Sequence, residues 1–191
     1  MRKIILASAS PQRKNILKLI DFDFKIEKSN FDEKKIKIDH QNPKEYCSYI
    51  AQQKSKNIAE NYPESIVLGS DTIVYHDNKI LGKPNSKEEA ASYLKKLSGK
   101  EHYVFTALSL KINAIGLEEN IVEKTIVSFN DLSEDDINYY VTNYNPCNKA
   151  GGYGIQDWGS TFVKKINGCY YNVVGFPLSK FYILFNQIKN K

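Results

Sequence analysis

Along the chain, apolar positions fall into short runs and helical repeats that mark a series of strands and helices. Ile4-Ile5-Leu6-Ala7 is an unbroken apolar run, the pattern of a short buried strand. Ser10 stands where it can cap a helix whose first position is Pro11, and Ile16, Leu17 and Ile20 then recur at helical spacing. Residues 22–26 alternate like a second strand. Asn42-Pro43-Lys44-Glu45 opens another helix, with Glu45 placed for a capping box, and Tyr46, Ile50, Ala51, Lys54 and Ile58 lie along it. Ile66-Val67-Leu68-Gly69 reads as a buried strand that ends in Ser70-Asp71-Thr72. Ile73-Val74-Tyr75 and Lys79-Ile80-Leu81 flank a hairpin turn at His76-Asp77-Asn78. A helix starting at Ser86 runs to Leu97 and stops near Gly99. Strands follow at 102–112 and 121–129, a helix opens at Ser133, and 145–154 is a loop rich in Gly, Asn and Pro. A strand at 160–166 and a helix after Gly175-Phe176-Pro177 complete the pattern.

Helices and strands mix without strict alternation, and no repeat or linker interrupts them. The expected class is therefore α/β or α+β: helices around a mixed sheet, in a single domain over residues 1–191 or two lobes with one core. With 41% hydrophobic and 26% charged residues, the composition is that of an ordinary globular protein. No run approaches the roughly 18 apolar residues of a membrane span, and the apolar stretch at the N-terminus is too short for a signal peptide. Cys47, Cys147 and Cys169 are widely spaced and form no CxxC pair, which favours a reducing, cytoplasmic location. The net charge of +5 is dispersed among Asp and Glu. It describes a solvated surface or a small, highly charged substrate better than a nucleic-acid surface.

Four segments carry candidate chemistry. In Ser8-Ala9-Ser10-Pro11-Gln12-Arg13 a strand runs into a helix N-terminus, where free N–H groups, two hydroxyls and a guanidinium suit phosphate; the same residues also describe a capped helix with a solvated Arg. Asp71 would sit at the open end of a strand, able to orient a water or hold a hard cation, or simply to begin a turn. Gly82-Lys83-Pro84 stiffens the backbone around one ammonium, or is a plain turn. Lys149-Ala150-Gly151-Gly152-Tyr153-Gly154-Ile155-Gln156 allows close backbone approach, with Gln156 suited to a base edge. Asp32-Glu33, followed by Lys34, Lys35 and Lys37, reads alone as a charged loop. No P-loop, GxSxG or HExxH is present.

The order and separation of these segments are more specific than any one of them. Together with Ala51-Gln52-Gln53-Lys54, Leu97-Ser98-Gly99-Lys100 and Val174-Gly175-Phe176-Pro177-Leu178, they closely resemble the Maf family of nucleotide pyrophosphatases, the septum formation inhibitor proteins, over nearly the whole chain. The resemblance implies a two-lobed α/β fold akin to inosine triphosphate pyrophosphatases, with the nucleotide in the cleft. It also implies cleavage of a nucleoside triphosphate to monophosphate and pyrophosphate assisted by Mg²⁺ or Mn²⁺, and a homodimer. By motif match Asp71 is the proton acceptor, and Ser8, Arg13, Glu33, Lys54 and Lys83 are phosphate- or metal-site residues, with Glu33 and Asp71 the metal ligands. Thr72 and Gln156 match the dTTP/UTP type. Two positions depart from that type: Gln12 stands where a first arginine is usual, and Asn148 where an Asp usually precedes Lys-Ala-Gly. The alternative is a nucleotide-binding regulator of the same fold that acts on division through a partner; a third reading is a nucleic-acid-binding protein.

Overall fold

The computed structural model describes residues 2–33 and 42–189. The strands are β1 (Ile4–Leu6), β2 (Phe24–Ile26), β3 (Ile66–His76), β4 (Lys79–Leu81), β5 (Glu101–Ile112), β6 (Leu117–Phe129) and β7 (Val163–Asn167). The α-helices are α1 (Pro11–Lys18), α2 (Pro43–Ala59), α3 (Lys87–Leu97), α4 (Glu134–Asn143), α5 (Tyr170–Val174) and α6 (Leu178–Ile188). Ser10, Asn42, Ser86 and Ser133 cap α1 to α4 by accepting N–H groups of the first turn, as their sequence positions require.

Among the described residues the strands form one mixed sheet in the order β2-β1-β3-β5-β6-β7, with β4 paired to β3. β1 runs parallel to β2 and β3, and β3, β5, β6 and β7 are successively antiparallel. The sequence places a strand end at Ser70-Asp71-Thr72, and here the structure differs. β3 continues through these residues, because Ser70, Asp71 and Thr72 pair with Leu108, Ala107 and Thr106 of β5. Backbone pairing to a strand some 35 residues away overrides a local loss of hydrophobicity. Smaller differences are a later start for β2, an earlier one for β6, and a 3₁₀ turn at Trp158–Phe162 before β7.

On its other edge β3 is shared by two partners. β1 covers Ile66, Val67 and Leu68, and β4 covers Val74, Tyr75 and His76. Residues 69–73 lie between them with no strand alongside among the described residues, which opens a gap in the sheet.

Side chains alternate across β3. On one face, Ile66 and Leu68 join Leu108, Leu110, Ile16 and Leu17 of α1 and Phe181 and Phe185 of α6. Further along that face Val74, Val104 and Val127 pack with Leu94 of α3 and Ile137 and Tyr140 of α4. The polar row Thr72–Thr106 separates these two clusters, so the two lobes share one sheet. On the opposite face α2 lays Ile58 and Ala59 on Val67, and Cys47 and Ala51 on Ile73, Phe105 and Ala107. Gly69 permits this approach: a Cβ there would lie 2.2 Å from Ala51 O and 2.6 Å from Ser55 N.

Candidate active site

The gap in the sheet opens into a cleft of about 340 Å³, within the range of small-molecule sites. Ser8, Gln12, Arg13, Glu33, Lys54, Asp71, Thr72, Lys83 and Gln156 all line it, although nearly 150 residues separate the first from the last.

Because Asp71 and Thr72 are consecutive in a strand, they leave β3 on opposite faces. Asp71, 7% exposed, points toward α2. There Lys54 Nζ lies 2.9 Å from Asp71 Oδ1 and 2.8 Å from Glu33 Oε1, so one ammonium bridges both carboxylates. The close packing of α2 at Gly69 sets this position. Beneath Asp71, Cys47 donates its thiol to the Asp71 carbonyl at 3.2 Å. Burial, reinforced by the Asp71 charge, pushes that thiol well above its ordinary pKa, so Cys47 acts as a neutral packing group.

Thr72 faces the other side, toward α1 and α5. Arg13 reaches it from the first turn of α1, and its guanidinium is largely committed to the protein. Nε donates to Gly175 O at 2.9 Å, Nη1 to Ser8 Oγ at 3.1 Å and Nη2 to Thr72 Oγ1 at 3.1 Å. Burial lowers the Arg13 pKa from its ordinary value, and the charge of Asp71 is the largest influence opposing it. The free guanidinium fork expected from sequence is therefore a brace that joins three elements, with two N–H donors left over. Gln12 Oε1 accepts from Ser10 Oγ at 3.0 Å, and Ser10 N donates to Ser8 Oγ at 3.2 Å.

The cleft lining combines two chemical kinds of side chain. Ser8, Ser10, Arg13, Lys54 and Lys83 supply donors and positive charge, joined by Lys28 and Ser29, which sequence reading missed. Val74, Val104, Tyr153, Ile155, Val173 and Val174 supply apolar surface to the same cleft, together with the exposed Gln156. Val74, Val104 and Val173 escaped notice because in sequence they belong to ordinary apolar runs, whereas Val174 falls in one of the family motifs. Asn148 also lines the cleft. The carboxylate it lacks is not needed by its neighbour Lys149, whose Nζ pairs with Asp157 Oδ2 at 2.9 Å and donates to Asn145 O at 2.8 Å.

Glu33 and Asp71 are hard oxygen donors. Among the described residues no group of three or more His, Cys, Asp or Glu is placed to hold a metal ion. Two carboxylates suit a Mg²⁺-like ion that takes its remaining ligands from water and phosphate. The donor set thus fits a cation that arrives with a phosphorylated ligand. Cys47, Cys147 and Cys169 are free, and among the described residues no helix is long and apolar enough to cross a membrane.

The chain is similar to known proteins over most of its length. The chain is 45% identical over 181 residues to the dTTP/UTP pyrophosphatase of Geobacillus sp. (strain WCH70), covering 94% of this chain and 95% of that protein. It is 40% identical over 178 residues to the protein of the same name from Syntrophus aciditrophicus (strain SB), covering 93% and 86%. Among solved structures, the Staphylococcus aureus Ham1 protein aligns at 14% identity with a TM-score of 0.47, over 67% of this chain and 72% of that one. The nucleoside-triphosphatase / dITP/XTP pyrophosphatase of Mycobacterium abscessus aligns at 10% identity, also at 0.47, over 98% and 96%. The Maf-like protein family is matched by residues 3–188, and the chain belongs to that family.

Proposed function

We propose that the protein hydrolyses dTTP and UTP to the nucleoside monophosphate and pyrophosphate. The observation that carries this reading is the polarity of the cleft. The buried carboxylate of Asp71 shares one cleft with cations and hydroxyls, Ser8, Ser10, Arg13, Lys54 and Lys83, and with apolar side chains that include Val74 and Val104. High identity to proteins named dTTP/UTP pyrophosphatase supports the choice of substrate.

In this reading the triphosphate lies along Ser8, Ser10, Lys54 and Lys83, and the base packs against the apolar lining at Val74 and Val104. Lys54 and Lys83 neutralise charge as it builds on the departing pyrophosphate. Asp71, fixed by Lys54, orients a water toward the α-phosphorus and accepts its proton. Arg13 holds Ser8 and Thr72 in place rather than carrying the phosphate alone. Glu33 and Asp71 would hold a Mg²⁺ or Mn²⁺ ion, which supplies charge neutralisation at phosphate oxygens and a more acidic water. The family resemblance further suggests a homodimer, expected to sediment at twice the 21.9 kDa chain mass.

Phosphorus NMR of UTP incubated with the protein and Mg²⁺ tests the reading. The expected products are UMP and pyrophosphate in equal amounts. UDP with orthophosphate refutes it, and binding without turnover favours the regulatory alternative.

A further inference from the structure

The following inference rests on the dTTP/UTP reading of the cleft and concerns how the base is chosen. A hydroxyl has one proton to give and two lone pairs to receive with. Thr106 of β5, fully buried, lies 2.8 Å from the main-chain oxygen of Asn172 in α5. A carbonyl only accepts, so the Thr106 proton is committed there. Thr106 Oγ1 also lies 3.1 Å from Thr72 Oγ1, its partner across the β3–β5 ladder. In that contact Thr72 must be the donor.

Thr72 Oγ1 in turn receives Arg13 Nη2 at 3.1 Å. With its proton given to Thr106 and one lone pair taken by Arg13, Thr72 has only a lone pair to offer the cleft. Ser8 has the opposite polarity. Its oxygen accepts from Arg13 Nη1 at 3.1 Å and from Ser10 N at 3.2 Å, so its proton is what remains. The far end of the relay is anchored, since the buried Asn172 side chain donates to Val104 O at 3.1 Å and to Thr125 Oγ1 at 2.9 Å.

We propose that Thr106 is a positioning residue for base selection, making Thr72 an obligate acceptor in the cleft beside Val74 and Val104. Val74 and Val104 form the next cross-strand pair on the same face, so a base packed on them brings its polar edge to Thr72. The imide N–H of uracil or thymine satisfies the exposed lone pair. Cytosine presents a ring-nitrogen lone pair at that place and is repelled. Ser8, left as a donor, faces phosphate oxygens. A site built to hydrogen-bond one group strongly rejects an analogue that leaves it unpaired.

The test compares kcat/KM for UTP and CTP in Mg²⁺ for wild type, Thr106→Val and Thr106→Ser. Wild type is expected to prefer UTP by roughly tenfold or more. Thr106→Val keeps the shape but removes the acceptor, so the Thr72 proton is free to turn to the cleft. The UTP/CTP ratio should then fall by roughly tenfold or more, and Thr106→Ser should restore it. General loosening of the site would slow both substrates together and leave the ratio unchanged. An unchanged ratio in folded Thr106→Val overturns the proposal; should that variant fail to fold, Thr106→Ala gives the same readout. N3-methyluridine triphosphate adds a check that needs no variant, and wild-type turnover equal to that of UTP also overturns the proposal. Failure of the pyrophosphatase reading itself shows separately, as no pyrophosphate release from UTP by wild type.

Discussion

Replacing Gly69 by Ala should damage both stability and activity, for a reason visible in one contact. The new Cβ would lie 2.2 Å from Ala51 O and 2.6 Å from Ser55 N. Both are helix backbone atoms, so no side-chain rotation relieves the overlap. Restoring ordinary contact near 3.4 Å requires α2 to withdraw from β3 by roughly 1 Å. Overpacking of this kind costs about 1–3 kcal/mol. For a chain of this size that corresponds to a fall in Tm of roughly 2–12 °C. Lys54 is carried on the moving helix, and its Nζ sits 2.9 Å from Asp71 Oδ1. A misplacement of about 1 Å at a reacting centre can cost about 10²-fold in rate. Thermal melts and kcat measured well below the melting transition separate the two effects. Ala51→Gly should not rescue, because the clashing atom is the carbonyl oxygen. A Gly69→Ala protein with wild-type Tm and kcat would refute the proposed link between helix approach and catalysis.

Asp71→Asn keeps the size of the side chain but removes its basicity, and kcat should fall about 10²–10⁴-fold; near-normal turnover by a folded variant would exclude Asp71 as proton acceptor. Gln156→Glu replaces a neutral amide in the cleft lining with a carboxylate that favours donor-rich guanine, so the margin of dTTP and UTP over dGTP should shrink by roughly tenfold; steady-state kinetics on the four common bases decide it. His102 is buried with Nε2 2.7 Å from Tyr153 OH, and burial lowers its pKa to about 3. The unfolded chain therefore binds the extra proton first as pH falls below about 6.5. His102's contribution to stability is present above that pH and should decline by roughly 1.4 kcal/mol per pH unit between about pH 6 and pH 4. Urea unfolding of wild type and His102→Gln across that range should show a shallower acid-side slope in the variant; equal slopes would reject the assignment.

Much of this protein is legible from local pattern. Helix caps at Ser10, Asn42, Ser86 and Ser133 depend on residues three or fewer positions apart, so the sequence contains the whole signal. The hairpin at Asp77-Asn78 is equally local, and both residues adopt the positive φ its turn requires. The nine candidate site residues are legible through the family resemblance that the ordered motifs carry, and all nine line the cleft. What escaped local reading is what distant partners decide. Asp71 marked a strand end until β5 continued the ladder past it. Arg13 offered a free fork until Gly175, 162 residues away, took one donor and Ser8 and Thr72 took two more. Thr106 and Asn172 carried no signal, since a hydroxyl in a strand and an amide in a short helix are commonplace. Their importance lies in the direction of hydrogen bonds, which depends on the acceptor each proton finds once the sheet and α5 meet. Sequence thus determined which chemical groups this protein has and where its elements begin. Only tertiary packing decided which lone pairs and protons are left to face the cleft.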